Sequence, residues 1–225
     1  MAYKLITFDA YMGLMDIQGS IVPILANALG IDDTTADPLV RTWRATQMAR
    51  AAASNSLGLG RTSFRACTRL GLDYVLARQN INLDDDARTT LVDAWDRMNP
   101  WPDGPGVIAA IKDKGYATAI LSNGDQDQLD AINQNAFNSI FDHVLSSESC
   151  GYYKPHPSVY ELPTKVLGIA NEDVLHVAGS PGDVLGAEAF GMTCYWSNRT
   201  SDLVPDPAYP ASYERRDLMG LLDIL

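Results

Sequence analysis

The sequence is poor in basic residues and contains no long apolar run. Its 225 residues include 17 Lys or Arg against 28 Asp or Glu, a formal net charge of −11 at pH 7. Nucleic acid is therefore not expected as a partner, because a phosphate-binding surface needs clustered Lys and Arg. No stretch approaches the roughly 20 apolar residues of a membrane span, and the N-terminus lacks the basic start and apolar stretch of a signal peptide. These absences predict a cytoplasmic protein that binds neither nucleic acid nor a membrane.

Cysteine and histidine are also scarce. The three cysteines form no CxxC pair and predict small buried residues rather than a disulfide framework or a zinc site: Cys67, Cys150 and Cys194. The three histidines show no metal-ligand spacing, and the sequence assigns no chemistry to them: His143, His156 and His176. Neither residue type predicts a metal or a cofactor.

Five short apolar runs, each stopping at a small or polar residue, predict buried parallel strands. They cover residues 3–9, 117–123, 143–147, 173–179 and 193–198. Amphipathic stretches of helical period, such as PGVIAAIKDKG, DQDQLDAINQNAF, HPSVYELPTKVLG and DVLGAEAFG, lie between most of them. The predicted fold class is therefore α/β, with a Rossmann-like parallel sheet covered by helices on both faces.

The segment after the first predicted strand differs, because it shows helical periodicity and no convincing strand. The turn-rich stretch PWPDGPG at 100–106 then marks the return to the α/β pattern. We interpret residues 17–97 as an inserted helical cap domain, and residues 1–16 with 98–225 as the core domain.

Several polar residues follow the ends of predicted strands. In an open parallel sheet, ligands bind beyond the carboxyl ends of the strands, so we expect these residues to converge: Asp9, Ser122, Asn123, Lys154 and Asp183. Taken singly, each has a structural explanation as a helix cap, a turn residue or a solvated loop residue.

Their order and surroundings resemble the haloacid dehalogenase superfamily from end to end. The family's four motifs stand here as FDAYMGLMD, ILSNGD, YYKPHPSVYEL and VAGSPGD. The closer resemblance is to the L-2-haloacid dehalogenase branch. It rests on Asp9 with Tyr11, Trp43 with Arg44, Ser122 to Gly124, and Lys154 with Pro155 and the Val159–Leu162 segment.

This resemblance implies a hydrolase that acts on a short 2-substituted carboxylic acid. Asp9 would attack the α-carbon and form an ester, and water would then release a 2-hydroxy acid. Lys154 would keep Asp9 ionised, and Asp183 would hold Lys154 and position the water. The resemblance further implies that Arg44 and Asn123 stabilise the departing anion and that Ser122 binds the substrate carboxylate.

The resemblance also implies a set of residues around the substrate. Tyr11 and Tyr160 would pack and hydrogen-bond there, although ring packing alone explains them equally well. Phe64 aligns with an apolar pocket residue of the family, and simple cap packing is its alternative. The remaining expected pocket residues are Met12, Met48 and Ser180. A homodimer is expected from the family, with Met48 and nearby alanines as candidate packing residues.

The motifs also depart from the family. Tyr11 stands where phosphatases of the superfamily carry a second Asp, and Gly179 stands where they carry a further carboxylate for Mg²⁺, so neither a metal nor a cofactor is expected. The usual Thr after the first motif is Gly13, and the fourth motif has Ala178, Ser180 and Gly182.

These departures leave the leaving group open. One alternative keeps the mechanism but opens the strained ring of azetidine-2-carboxylate. A second is a non-catalytic relative that binds a carboxylate or a partner protein, and the least favoured is a phosphatase.

Overall fold

The computed structural model describes residues 3–225, which divide into two compact units. The sheet unit comprises residues 3–15 and Pro100–Leu225, and the helical unit comprises Asp16–Asn99. The assignment of the helical unit as a cap stays a prediction. Within residues 3–225, none of the helices combines the length and the apolar character needed to cross a membrane.

The sheet unit is built on six strands, all paired in parallel. They are β1 (Leu5–Phe8), β2 (Ala117–Ser122), β3 (His143–Ser146), β4 (Val174–Ala178), β5 (Thr193–Ser197) and β6 (Tyr213–Arg215). Their order across the sheet is β3-β2-β1-β4-β5-β6, so β1 lies between β2 and β4. Every residue of β1 is buried, as expected for a central strand covered on both faces. The predicted α/β class is confirmed.

The order of helices and strands follows the predicted alternation, with two differences: one predicted helix is divided in two, and one strand was not predicted. In chain order they are α1 (Ile17–Leu29), α2 (Asp33–Ser54), α3 (Phe64–Arg78), α4 (Asp85–Asp93), α5 (Gly104–Asp113), α6 (Gln126–Phe137), α7 (Pro157–Tyr160), α8 (Leu162–Leu167) and α9 (Pro181–Phe190). The stretch HPSVYELPTKVLG forms two short helices, because Pro163 has no N–H to continue the first one. Strand β6 was not predicted; its three residues are partly or fully exposed and carry no apolar pattern.

Polar side chains cap four helices of the helical unit at their N-termini. Four side chains at helix N-caps accept a hydrogen bond from a backbone N–H in the first turn, and three of the four are aspartates: Asp16, Asp32, Ser63 and Asp84. Such caps satisfy amide groups that the helix itself cannot pair. The core of this unit includes an edge-to-face pair of buried indoles, Trp43 and Trp95, with ring centroids 5.3 Å apart.

Candidate active site

Asp9 lies directly beyond the carboxyl end of the central strand. Its backbone N–H donates to Val177 O at 2.9 Å, which extends the pairing of β1 with β4 by one residue. Its side chain is only 9% exposed, and one carboxylate oxygen, Oδ1, accepts from Ser122 Oγ at 3.0 Å and from Lys154 Nζ at 3.4 Å. A buried carboxylate held by two donors has few orientations available, and a fixed orientation suits attack on a carbon atom.

Lys154 connects the two acids of the site. Its ammonium donates to Asp9 Oδ1 and, at 2.9 Å, to Asp183 Oδ2. Its backbone N–H donates to Asn123 Oδ1 at 2.8 Å, so the side chain just beyond β2 fixes the loop that carries the lysine. The Lys154 side chain is 5% exposed, and the attraction between these charges is stronger there than it would be in water.

Asp183 lies in the first turn of α9, and three side chains from elsewhere in the sheet unit contact its carboxylate. Tyr160 Oη donates to Oδ1 at 2.8 Å, whereas Lys154 Nζ and His176 Nε2 both contact Oδ2. Burial opposes ionisation, but the charges and hydrogen bonds of Lys154 and His176 outweigh it and hold the pKa of Asp183 below its ordinary value. Asp183 therefore stays a carboxylate at neutral pH.

Tyr160 reaches Asp183 because a glycine leaves room for it. Burial, followed by the nearby carboxylate of Asp183, raises the pKa of Tyr160 well above its ordinary value, so the phenol keeps its proton and donates it in a hydrogen bond. A Cβ added at Gly186 would lie 2.2 Å from the Tyr160 hydroxyl oxygen. The small residue on α9 is thus a requirement of this contact.

His176, to which the sequence assigned no chemistry, belongs to the same cluster. It is fully buried on β4, with Nε2 3.0 Å from Asp183 Oδ2 and 3.3 Å from Lys154 Nζ. Its Nδ1 lies 2.8 Å from the hydroxyl of Thr7, its register partner on β1. The available signal was a polar residue inside the apolar run VLHV, because buried polar groups almost always have partners.

The site does not fit the divalent cation that phosphatases of this superfamily use. The ammonium of Lys154 already lies between the two acids, and Tyr11 replaces the second aspartate. A Cβ added at Gly179 would lie 2.1 Å from the backbone nitrogen of Gly13, so a carboxylate cannot be placed there without moving the loop after Asp9. Among residues 3–225, no group of three or more Asp, Glu, His or Cys side chains is arranged to hold a metal ion.

In the helical unit, Arg44 lies in a polar and aromatic setting on α2. Its Nη1 donates to Gln47 Oε1 at 2.6 Å, and Gln47 Nε2 donates to Thr68 Oγ1 at 2.5 Å. The guanidinium carbon lies 5.8 Å from the ring centroid of Phe64 and 5.9 Å from that of Trp95. Gln47 was not predicted, although its position one turn after Arg44 on a helix was a usable signal.

The other predicted pocket residues lie in three places. Tyr11 and Met12 belong to the loop after β1, where Met12 O accepts from Trp101 Nε1 at 3.1 Å. Ser180 is the N-cap residue of α9, three residues before Asp183. Met48 is half-buried on α2, one turn beyond Arg44. Their roles toward a substrate stay predictions.

A parallel sheet with a buried carboxylate beyond its central strand, paired with a lysine from a later loop, defines a class of hydrolases. The model of the haloacid dehalogenase-like hydrolase family matches residues 21–191, and the chain belongs to that family. Within it, the chain belongs to the branch of the L-2-haloacid dehalogenases, as the sequence motifs predicted.

Three comparisons carry the assignment to this branch. Haloacetate dehalogenase H-2 of Moraxella sp. strain B is 34% identical over 137 residues, which cover 60% of this chain and 61% of that protein. The (S)-2-haloacid dehalogenase of Pseudomonas sp. strain YL is 31% identical over 163 residues, covering 72% and 70%. The structure of L-2-haloacid dehalogenase from Xanthobacter autotrophicus with chloropropionic acid covalently bound superimposes with a TM-score of 0.89, at 25% identity and 99% and 98% coverage.

Proposed function

We propose that the protein hydrolyses short 2-haloacids to 2-hydroxy acids through an ester on Asp9. The observation that carries this proposal is the buried pairing of Asp9 Oδ1 with Lys154 Nζ at 3.4 Å, with Ser122 Oγ at 3.0 Å from the same oxygen. The branch to which the chain belongs and its likeness to a dehalogenase with covalently bound chloropropionic acid also support it.

The first step is displacement at a saturated carbon. A carboxylate oxygen of Asp9 forms a bond to C2 of the acid, and the bond from C2 to the halogen breaks, with its electron pair leaving on the halide. A halide needs no proton to leave, so this step requires no general acid. The chain has Tyr11 where phosphatases of the superfamily carry the aspartate that acts as general acid, which agrees with a step that needs none.

The second step is hydrolysis of the ester. Water adds to the carboxyl carbon of Asp9, and the bond from that carbon to the ester oxygen breaks. One proton of the water ends on the departing oxygen, which was originally on Asp9, and the other is lost to solvent as the Asp9 carboxylate re-forms and the 2-hydroxy acid leaves. The tetrahedral intermediate carries negative charge on the remaining carboxyl oxygen, and the ammonium of Lys154, 3.4 Å from Asp9 Oδ1, is placed to stabilise that charge. Asp183, held by its three partners, is placed to orient the ammonium and the water.

The predicted roles of the other residues form part of this proposal. Arg44 and Asn123 would receive the departing anion, and Ser122 would contact the substrate carboxylate in addition to Asp9. Substitutions Arg44→Lys and Ser122→Ala test them: a higher KM with unchanged kcat indicates uniform binding, whereas an equal fall in kcat and kcat/KM indicates transition-state stabilisation. The expected pocket residues are Tyr11, Met12, Met48, Phe64, Tyr160 and Ser180.

A bulkier or cyclic substrate is the second candidate, and Gly182 is the observation that favours it. A Cβ added at this exposed residue, next to Asp183, would meet no atom within 4 Å. Ring opening of azetidine-2-carboxylate would follow the same attack: the bond from C2 to nitrogen breaks, and the nitrogen of the protonated ring leaves as a neutral amine. The product after ester hydrolysis would be 2-hydroxy-4-aminobutyrate.

The test is a metal-free screen of L-2-chloropropionate, bulkier 2-haloacids and azetidine-2-carboxylate. Halide release, or formation of 2-hydroxy-4-aminobutyrate, that persists in a chelator is the expected result, together with an ester on the Asp9 peptide by mass spectrometry. Asp9→Asn should abolish both. In a single turnover in ¹⁸O water, the label should enter the Asp9 carboxylate rather than the product. Phosphatase activity that needs added Mg²⁺ would refute the proposal, and absence of any adduct would favour the binding relative.

The assembly expected from the family is also part of the proposal. A homodimer is expected, with Met48 of α2 among its contact residues, and the mass in solution by light scattering tests it. A mass of one chain, 24.5 kDa, would contradict the expectation.

A further inference from the structure

The imidazole of His176 has its partners on opposite sides of the ring. Nδ1 faces the Thr7 hydroxyl at 2.8 Å, and Nε2 faces Asp183 Oδ2 at 3.0 Å and Lys154 Nζ at 3.3 Å. A carboxylate can only accept a hydrogen bond and an ammonium can only donate one. The shorter contact, to Asp183, therefore requires a proton on Nε2, and His176 donates to the carboxylate.

His176 and Lys154 thus donate to the same oxygen. The other oxygen of Asp183 is already taken by Tyr160 Oη at 2.8 Å. Lys154 Nζ also donates to Asp9 Oδ1. That distance is 3.4 Å, which is longer than the 2.9 Å from Nζ to Asp183 Oδ2. Without His176, Oδ2 would keep its full charge for the ammonium, and Lys154 would be drawn further toward Asp183 and away from Asp9.

We propose that His176 is a positioning residue for hydrolysis of the ester, acting through Asp183 to keep Lys154 within reach of Asp9. This inference rests on the proposed function. While Asp9 is esterified it carries no charge, and Asp183 is the remaining anion that the ammonium contacts. Lys154 must nevertheless return to Asp9 when water adds to its carboxyl carbon. A second donor on Asp183 Oδ2 weakens the competing ion pair at that moment.

The test compares three replacements of His176 that differ in the atom they retain. Phenylalanine keeps the ring and no donor, asparagine keeps a polar atom near Nδ1, and glutamine places an amide N–H near Nε2. Rapid quenching followed by mass spectrometry measures formation and hydrolysis of the Asp9 ester separately. His143→Gln is the matched control, because His143 lies on β3 and takes no part in the site.

We expect His176→Phe and His176→Asn to slow ester hydrolysis about 10- to 100-fold, the usual cost of removing an outer partner that orients a functional group. Ester formation should change less, so the ester accumulates on Asp9. His176→Gln should recover most of the hydrolysis rate, and His143→Gln should match the wild type. Equal effects on both steps, no effect on hydrolysis, or a glutamine variant no better than asparagine would overturn the inference.

A measurement on the resting protein separates this inference from the proposed function. Nitrogen-15 NMR of the imidazole should find a proton on Nε2 of His176, and Thr7→Val should alter the Nδ1 signal while leaving that proton in place. If the wild type forms no ester with any substrate, the proposed function fails whatever the NMR shows. If Nε2 carries no proton, the positioning role fails even in an active enzyme.

Discussion

Replacing Lys154 by methionine is expected to destabilise the folded protein strongly at neutral pH and much less in acid. The Lys154 side chain is 5% exposed, and its ammonium lies between the carboxylates of Asp9 and Asp183, whose side chains are 9% and 4% exposed. Methionine retains the length of the side chain and removes the charge. The variant therefore removes from two buried acids the ammonium that pairs with both of them.

The magnitude follows from the cost of removing one partner of a buried ion pair. Removing one partner of a buried ion pair costs about 3–5 kcal/mol, because the remaining charge stays desolvated. In the wild type the pKa of Asp183 is held low, so its contribution to stability is complete above the unfolded pKa near 3.9 and is lost as the pH falls through the folded pKa. In Lys154→Met, burial is no longer opposed by the lysine, the carboxylate pKa rises, and stability recovers as the pH falls through that raised value.

Urea unfolding of both proteins between pH 7 and pH 4 measures this difference. The gap in unfolding free energy should be largest at pH 7 and should shrink on acidification. Lys165→Met is the matched control, since its pairing with Glu161 is largely exposed and spans one helical turn; such pairs contribute about 0.3–0.5 kcal/mol. If Lys154→Met lowers the unfolding free energy no more than Lys165→Met does, or lowers it equally at every pH, the reasoning is refuted.

Three further substitutions test separate contacts. Gly179→Asp should abolish turnover both with and without Mg²⁺, because its Cβ would lie 2.1 Å from a backbone nitrogen of the loop after β1. Initial rates with and without Mg²⁺ measure this, and turnover restored by the metal would contradict it. Gly186→Ala should cost more activity than Tyr160→Phe, because it displaces the whole phenol rather than one hydroxyl; initial rates compare them, and the reverse order would be inconsistent with the packing. Gln47→Leu removes the acceptor 2.6 Å from Arg44 Nη1 and should lower the unfolding free energy by about 1–3 kcal/mol, with Gln47→Glu as control; equal stabilities of the two variants would argue against the hydrogen bond.

Much of the fold could be predicted because parallel strands covered on both faces read as continuous apolar runs. β1, β2, β4 and β5 were visible in this way, whereas β6, with three residues at the edge of the sheet, carried no such pattern. The strand order was not predictable from periodicity, since it depends on pairing between segments far apart in the chain. The contact between Thr7 and His176 spans 169 residues and exists only because β4 lies beside β1.

The candidate site was also predictable only in part from the sequence. Asp9, Lys154 and Asp183 were found through motifs whose spacing resembles a known family, and the structure brings them together. His176 and Gln47 lie outside those motifs. The available signals were the polarity of His176 within an apolar run and the position of Gln47 one helical turn after Arg44. Recognising them required the partner atoms, and those partners are fixed by tertiary packing rather than by local sequence.

The long chain separation between nucleophile and cation has a consequence for how the enzyme is made. Asp9 leaves the ribosome before its partners: the lysine that pairs with it follows 145 residues later, and the acid that holds this lysine follows another 29 residues after that. Domains fold as the nascent chain supplies their parts. A chain synthesised only as far as β3 therefore holds Asp9 without the ammonium, and the arrangement of Asp9, Lys154 and Asp183 can form only after α9 has been added.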